Sequence, residues 1–111
     1  MIDWTRISEL IDEFGPDDFA EVVDLFLAEV EGAIAQLDDL DKSPDTWAEQ
    51  MHFLKGAVLN LGFSAMSDLC RKGEEAARGG DITVVSAHDI RTVFDASRKQ
   101  FELDLPARLA A

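Results

Sequence analysis

The stretch Trp47–Gly62, WAEQMHFLKGAVLNLG, decides how the rest of the chain is interpreted. Its large apolar residues recur at spacings of three and four, which is typical of a helix with one face packed on a core. These residues are Trp47, Met51, Leu54, Val58 and Leu61. At about 100° per residue, His52 projects roughly 140° from the middle of this stripe. The pattern therefore predicts a helix that packs on one face and displays His52 on another.

Lys55 and Gly56 follow His52 by three and four positions, so both should lie one helical turn from the imidazole. A glycine inside a helix costs about 1 kcal/mol relative to alanine, so its presence there needs a reason. The missing side chain could leave a depression where a partner approaches His52, or it could allow tight packing against a second helix. Helix geometry alone favours neither explanation.

The composition limits the classes of protein that the chain can represent. It has 111 residues, the size of one domain, and we expect a single domain over residues 1–111. With 23 acidic against 10 basic residues, its formal charge of −13 disfavours nucleic acid and anionic membrane surfaces as partners. The single Cys70 cannot form an internal disulfide, and neither a secretory signal nor a membrane-length apolar run occurs. The cytoplasm is the expected compartment.

Helical spacing of apolar residues extends over the whole chain. The first predicted helix is short, covers residues 4–14 and is ended by Gly15 and Pro16, and the second runs from about Asp18 to Leu40. The stretch quoted above forms the third helix, residues 64–78 form the fourth, and the last helix ends at Pro106. Cys70 lies on an inward face and should be a buried, inert thiol. Short loops favour antiparallel neighbours. The sequence thus predicts an all-α, up-down-up-down four-helix bundle with a short N-terminal capping helix.

The stretch also carries a motif that resembles the histidine-containing phosphotransfer domain of bacterial two-component phosphorelays. The motif, roughly H-x-L-K-G-x-x-x-x-L-G, is met by His52, Leu54, Lys55, Gly56, Leu61 and Gly62. The preceding VDLFLAEV, the following SDLCRKGEEAARGGD and the order of helices are similar to that family as well. The resemblance covers nearly the whole chain.

The resemblance implies that His52 accepts a phosphoryl group from a receiver-domain aspartate and passes it to another response regulator. Lys55 would hold phosphate oxygens, and Gly56 would give the receiver's loops clearance. The protein would be a free-standing, monomeric, stoichiometric carrier rather than an enzyme. It would have no cofactor of its own, with Mg²⁺ bound by the receiver, and a hybrid histidine kinase is a further possible partner.

The docking face follows from the same helical arithmetic. Ala48 and Leu59 fall on the His52 side of the helix, and Phe53 is displaced from the core stripe. Apolar side chains exposed beside a reactive residue indicate a protein interface, although Phe53 could instead be partly buried against a neighbouring helix.

Two other functions are open at this stage. The chain could be a module of the same fold that docks a receiver or kinase without carrying phosphate. It could also be a metal-binding bundle, because Glu49 and His52 have the Glu-x-x-His spacing used in di-metal proteins. Such a centre needs a second pair and inward projection, whereas His52 is predicted to point outward.

Overall fold

The computed structural model describes residues 1–110, and these fold into a helical bundle of 46 × 20 × 20 Å. The helices are α1 (Trp4–Ala35), α2 (Pro44–Asn60), α3 (Ser64–Arg78) and α4 (Ala87–Ala110), with a short 3₁₀ turn at Leu37–Asp39. No strand forms within this described part, and the apolar run at residues 82–85 lies in the loop before α4. The predicted all-α bundle is confirmed. None of these helices is both long and apolar enough to cross a membrane.

A break at Gly15 divides α1 into a short first part and a long second part. Gly15 has φ 80° and ψ 158°, outside helical geometry, and helical geometry resumes at Pro16. Proline suits this position because its fixed φ fits the first turn, where its missing N–H is not needed. The predicted capping helix is therefore the first part of α1. The predicted helix start at Asp18 is wrong by two residues, because Pro16 already occupies the first turn.

Helices α2 and α3 form a tight antiparallel hairpin. The α2 residues His52 and Lys55 both contact Glu74 of α3, so the hairpin brings the middle of α2 against the second half of α3. Close packing depends on Gly73, because a Cβ there would come within 3.1 Å of the Met51 side chain. The hairpin thus fixes which α3 residues lie beside the middle of α2.

The turn between α2 and α3 is tied to the N-terminus. Gly62 adopts φ +73°, and its carbonyl accepts a 2.6 Å hydrogen bond from the Asp3 N–H. Asp3 in turn caps α1 by accepting from the backbone N–H groups of Thr5 and Arg6. The start of α1 is therefore held directly against the end of α2.

Replacing Gly62 with alanine should destabilise the fold by roughly 1–3 kcal/mol, because the left-handed conformation disfavours a side chain. The new Cβ would also lie 2.7 Å from the Asp3 carbonyl oxygen. Chemical denaturation measures the change. Gly32→Ala is the matched control, since Gly32 lies in α1 with nothing within 4 Å of an added Cβ, and should be neutral or stabilising. Equal midpoints for the two variants would contradict the expected strain.

Aromatic side chains join α4 to the opposite end of the chain. Phe101 packs edge-on against Phe63 at 5.8 Å between centroids and stacks on Trp4 at 6.0 Å. The Arg108 guanidinium lies 4.8 Å from the centre of the Trp4 ring. This cation–π contact lies beyond Pro106 and helps to hold the last turn, so the predicted helix end at Pro106 is wrong and α4 continues to Ala110.

Candidate functional site

His52 lies on the outer face of α2, as its position in the helix predicts. Its side chain is 63% exposed, whereas its neighbours Met51 and Leu54 are completely buried. The prediction that His52 is displayed is therefore confirmed. An exposed imidazole on a rigid helix is accessible to a reactive group on another molecule.

Glu74 of α3 fixes the orientation of the His52 ring. The carboxylate oxygens of Glu74 lie 3.0 and 3.3 Å from Nδ1 of His52. A carboxylate accepts hydrogen bonds and cannot donate them, so Nδ1 carries the proton and donates to Glu74. In the neutral imidazole the lone pair is then on Nε2. The nucleophilic nitrogen of His52 is the one that is not held by α3.

Glu74 is nearly buried and is surrounded by cations. Lys55 donates to it at 2.7 Å, and Arg78 donates through Nη2 at 2.7 Å and through Nε at 3.1 Å. These contacts lower the pKa of Glu74 from 4.5 to about 2. The hydrogen bond from Lys55 is the largest cause of the shift, and the hydrogen bond from Arg78 is the next largest. Glu74 therefore remains an acceptor for the Nδ1 proton at any pH near neutrality.

This lowered pKa predicts a loss of stability in acid. A carboxyl group whose pKa is depressed by folding stabilises the protein above its unfolded pKa, and this contribution is lost as the pH falls through the folded pKa. For Glu74 the loss should occur between about pH 4.5 and about pH 2. Urea midpoints of wild type and Glu74→Gln, measured through this range, should differ most near neutrality and converge in acid. A constant difference between them would contradict the linkage.

Lys55 is already engaged by Glu74 in the unmodified site. Its side chain is 29% exposed, and its ammonium group lies on the α3 side of His52. A lysine held in this way is oriented beside the imidazole without loss of its charge. It lies where a cation can meet a negative group that is attached to His52.

Glu74 and Arg78 were not among the residues predicted from the sequence. A signal for Glu74 exists, because it follows Cys70 by four positions and so continues the inward stripe of α3. A carboxylate on a buried face requires hydrogen-bond partners. That requirement indicates a polar cluster but does not identify His52 and Lys55 as its members, since the register of α3 against α2 is a tertiary property.

Gly56 opens onto a cavity beside His52. A Cβ built on Gly56 would meet nothing within 4 Å, so the glycine does not serve packing between helices of this chain. The cavity measures about 320 Å³ and lies between α1 and α2. Its lining consists of Phe26, Glu29, His52, Phe53, Gly56, Ala57 and Asn60. Of the two explanations for Gly56, packing between helices has no support in the structure, and clearance for an incoming group stays a prediction.

The predicted docking residues differ in exposure. Phe53 is 42% and Leu59 53% exposed, so both are accessible to a partner. Ala48 is completely buried, and its prediction as a docking residue is wrong. The buried arc of α2 is wider than the stripe predicted from its large residues, because α2 packs against both α1 and α3. Phe26 and Glu29 of α1 line the cavity beside His52 instead. The helical geometry of α2 alone cannot identify these two residues.

Two other chemistries find little support in the geometry. Among residues 1–110 there is no group of three or more His, Cys, Asp or Glu side chains that could hold a metal ion, so Glu49 and His52 have no second pair beside them. Cys70 is buried, and burial raises the pKa of its thiol to about 12. The prediction of an inert thiol at Cys70 is consistent with this environment.

Comparison with known proteins identifies the family to which the chain belongs. The Hpt domain family matches residues 21–104, and the chain belongs to this family. Among curated proteins it is 25% identical over 101 residues to the phosphorelay intermediate protein YPD1 of Candida albicans. That match covers 87% of this chain and 55% of the relative, so the chain spans about half of the relative's length. The relative is a yeast protein and gives no support for a bacterial source. No solved structure matches.

Proposed function

We propose that the protein is a phosphorelay intermediate in which His52 accepts a phosphoryl group from the aspartate of a receiver domain and passes it to another response regulator. The observation that carries the proposal is the state of the imidazole, which is 63% exposed beside an open cavity and has Nδ1 held by Glu74, so that Nε2 is the free nitrogen. Membership of the Hpt family and the similarity to a phosphorelay intermediate support the same role.

The transfer step follows from this arrangement. The Nε2 lone pair attacks the phosphorus of the aspartyl phosphate, a P–N bond forms, and the P–O bond to the aspartate breaks with its electrons left on the carboxylate. The proton on Nδ1 stays in the hydrogen bond to Glu74, so the imidazole needs no separate base. The reverse sequence regenerates neutral His52 when a second receiver takes the group.

Lys55 and Arg78 act on the charge of the transferred group. A phosphoryl group at Nε2 brings negative charge close to Glu74, and the two cations that already contact Glu74 can offset it. They belong to the binding machinery of the site together with Glu74. Phe53 and Leu59 provide exposed apolar surface for the receiver.

On this proposal the protein is consumed and regenerated stoichiometrically and is not an autonomous enzyme. It acts as a monomer in the cytoplasm, and its partners are receiver domains and a hybrid histidine kinase. It carries no cofactor of its own, since Mg²⁺ would belong to the receiver. The receiver's metal ion and Lys55 of this chain would then both offset the negative charge of the phosphoryl group during transfer.

Incubation with a radiolabelled, phosphorylated receiver tests the proposal. The chain should take up about one phosphate per molecule, in a linkage that is labile to acid and stable to alkali, as expected for a phosphoramidate. A protein that binds the receiver in a pull-down and acquires no label would instead be an adaptor of the same fold. Label that survives acid would identify a different acceptor.

Filling the space above Gly56 should slow transfer without unfolding the protein. Gly56→Leu places a side chain in the open region beside His52, and we expect the transfer rate to fall about tenfold because the reacting atoms are held apart. Gly56→Ala should slow transfer less and should raise thermal stability, since alanine is the better helix former. Quenched-flow transfer and thermal unfolding measure the two effects. A transfer rate for Gly56→Leu equal to that of wild type would show that no partner occupies this space.

A further inference from the structure

The cavity beside His52 contains a carboxylate that has no role in the transfer step above. Glu29 reaches it from α1, and the rest of its lining is mainly apolar, with Phe26, Phe53 and Ala57 contributing. Among the lining residues Glu29 is the one acidic side chain. It lies on the α1 side of His52, opposite the Glu74 cluster on α3.

The two carboxylates near His52 are in different electrostatic states. Glu74 receives hydrogen bonds from His52, Lys55 and Arg78. Glu29 is exposed, and none of the ion pairs formed among residues 1–110 involves it. One carboxylate is neutralised within the chain, whereas the other depends on solvent.

A partner that delivers a phosphoryl group to Nε2 must cover part of this cavity. Covering it removes water from Glu29, and an ionised carboxylate that loses water without gaining a partner is strongly unfavourable. This cost is offset when the partner places a lysine or arginine over Glu29, because attraction to the cation then compensates for the lost hydration. The apolar lining would strengthen such a pair by excluding further water.

We propose that Glu29 is a specificity-determining residue, which selects receiver domains whose docking surface places a lysine or arginine against the α1 side of the cavity. The inference rests on the proposed function and adds the chemistry of the partner. Lys55 and Arg78 attract the negatively charged phosphoryl group on one side of His52, and Glu29 attracts the partner's cation on the other. A receiver docked the opposite way round would bring its phosphoryl group against Glu29 and be repelled, so the same pair of contacts sets the orientation.

The test compares two donors for each variant. The first donor is a phosphorylated receiver, chosen from a panel because it transfers fastest to the wild-type protein. Transfer from this donor depends on docking. Direct labelling by phosphoramidate, a small donor, reports the reactivity of His52 itself. The quantity measured is the ratio of the two rates, for wild type, Glu29→Gln, Glu29→Lys and the control Glu13→Lys, whose site lies before the break in α1 and outside the cavity.

We expect the ratio to fall about threefold for Glu29→Gln and at least about tenfold for Glu29→Lys, with Glu13→Lys close to wild type. Added salt should slow receiver-dependent transfer of the wild type more than that of Glu29→Gln. A ratio for Glu29→Gln equal to that of wild type, or an equal fall for Glu13→Lys, would overturn the inference. Failure of the wild-type protein to label with either donor would instead contradict the proposed function.

Discussion

His52→Gln should fold normally and take up no phosphate from a phosphorylated receiver. We expect incorporation to fall by more than about 100-fold, since glutamine has no nitrogen lone pair that can attack phosphorus. The variant loses the hydrogen bond between His52 and Glu74, which lowers the free energy of unfolding. Because the His52 side chain is largely exposed, any further change in the free energy of unfolding should stay within about 0.5 kcal/mol. Radiolabel incorporation and circular dichroism of the same samples measure the two properties.

His88→Gln provides the matched control, because the chain contains 2 histidines and His88 is also exposed on a helix. This variant should label at the wild-type rate. Normal labelling of His52→Gln would exclude His52 as the acceptor. Loss of labelling in His88→Gln would assign the acceptor to the first turn of α4 instead.

The sequence was sufficient for those features that depend on position along one helix. The spacing of apolar residues in α2 predicts which face is buried, and it correctly places His52 on the outside and Lys55 one turn away. The break at Gly15 also follows from local chemistry. The motif needed only the local sequence for its recognition, and the family match is consistent with it.

Features that depend on how helices meet could not be predicted in the same way. Glu74 reaches His52 across 22 positions in the chain, and nothing in either helix alone indicates that contact. Ala48 is buried because two neighbours cover α2, which a helical wheel of α2 does not include. The continuation of α4 beyond Pro106 involves Arg108 and Trp4, residues from the two ends of the chain. The errors at Ala48 and at Pro106 therefore arose from tertiary contacts, whereas the error at the helix start near Asp18 was local.

The most informative of these tertiary contacts is the one made by Glu74, because it joins three functions in a single carboxylate. It sets the tautomer of His52, it orients Lys55, and it anchors Arg78. Glutamine at this position keeps an oxygen that can accept from Nδ1 but loses the charge that holds the two cations. Alanine loses both. The two substitutions therefore separate ring orientation from charge.

Glu74→Ala should slow phosphoryl transfer to His52 by about 10- to 100-fold, by analogy with the residues that orient metal-bound histidines. Without the acceptor, the proton can reside on Nε2, and the lone pair then faces α3 instead of the receiver. Glu74→Gln should be intermediate. Imidazole nitrogen shifts measured by NMR should show the Nδ1–H tautomer in the wild type and a mixture in Glu74→Ala.

Glu75→Ala is the control for the Glu74 series, because Glu75 is the next residue in α3, is exposed, and pairs with Arg71 instead of the site. It should transfer phosphate at the wild-type rate. Suppose that Glu74→Ala transfers phosphate as fast as Glu75→Ala although the tautomer of its His52 ring has shifted. Ring orientation then does not limit transfer, and Glu74 serves mainly to hold Lys55 and Arg78. If rate and tautomer change together, and glutamine restores both in part, the carboxylate controls transfer through the nitrogen that it leaves free.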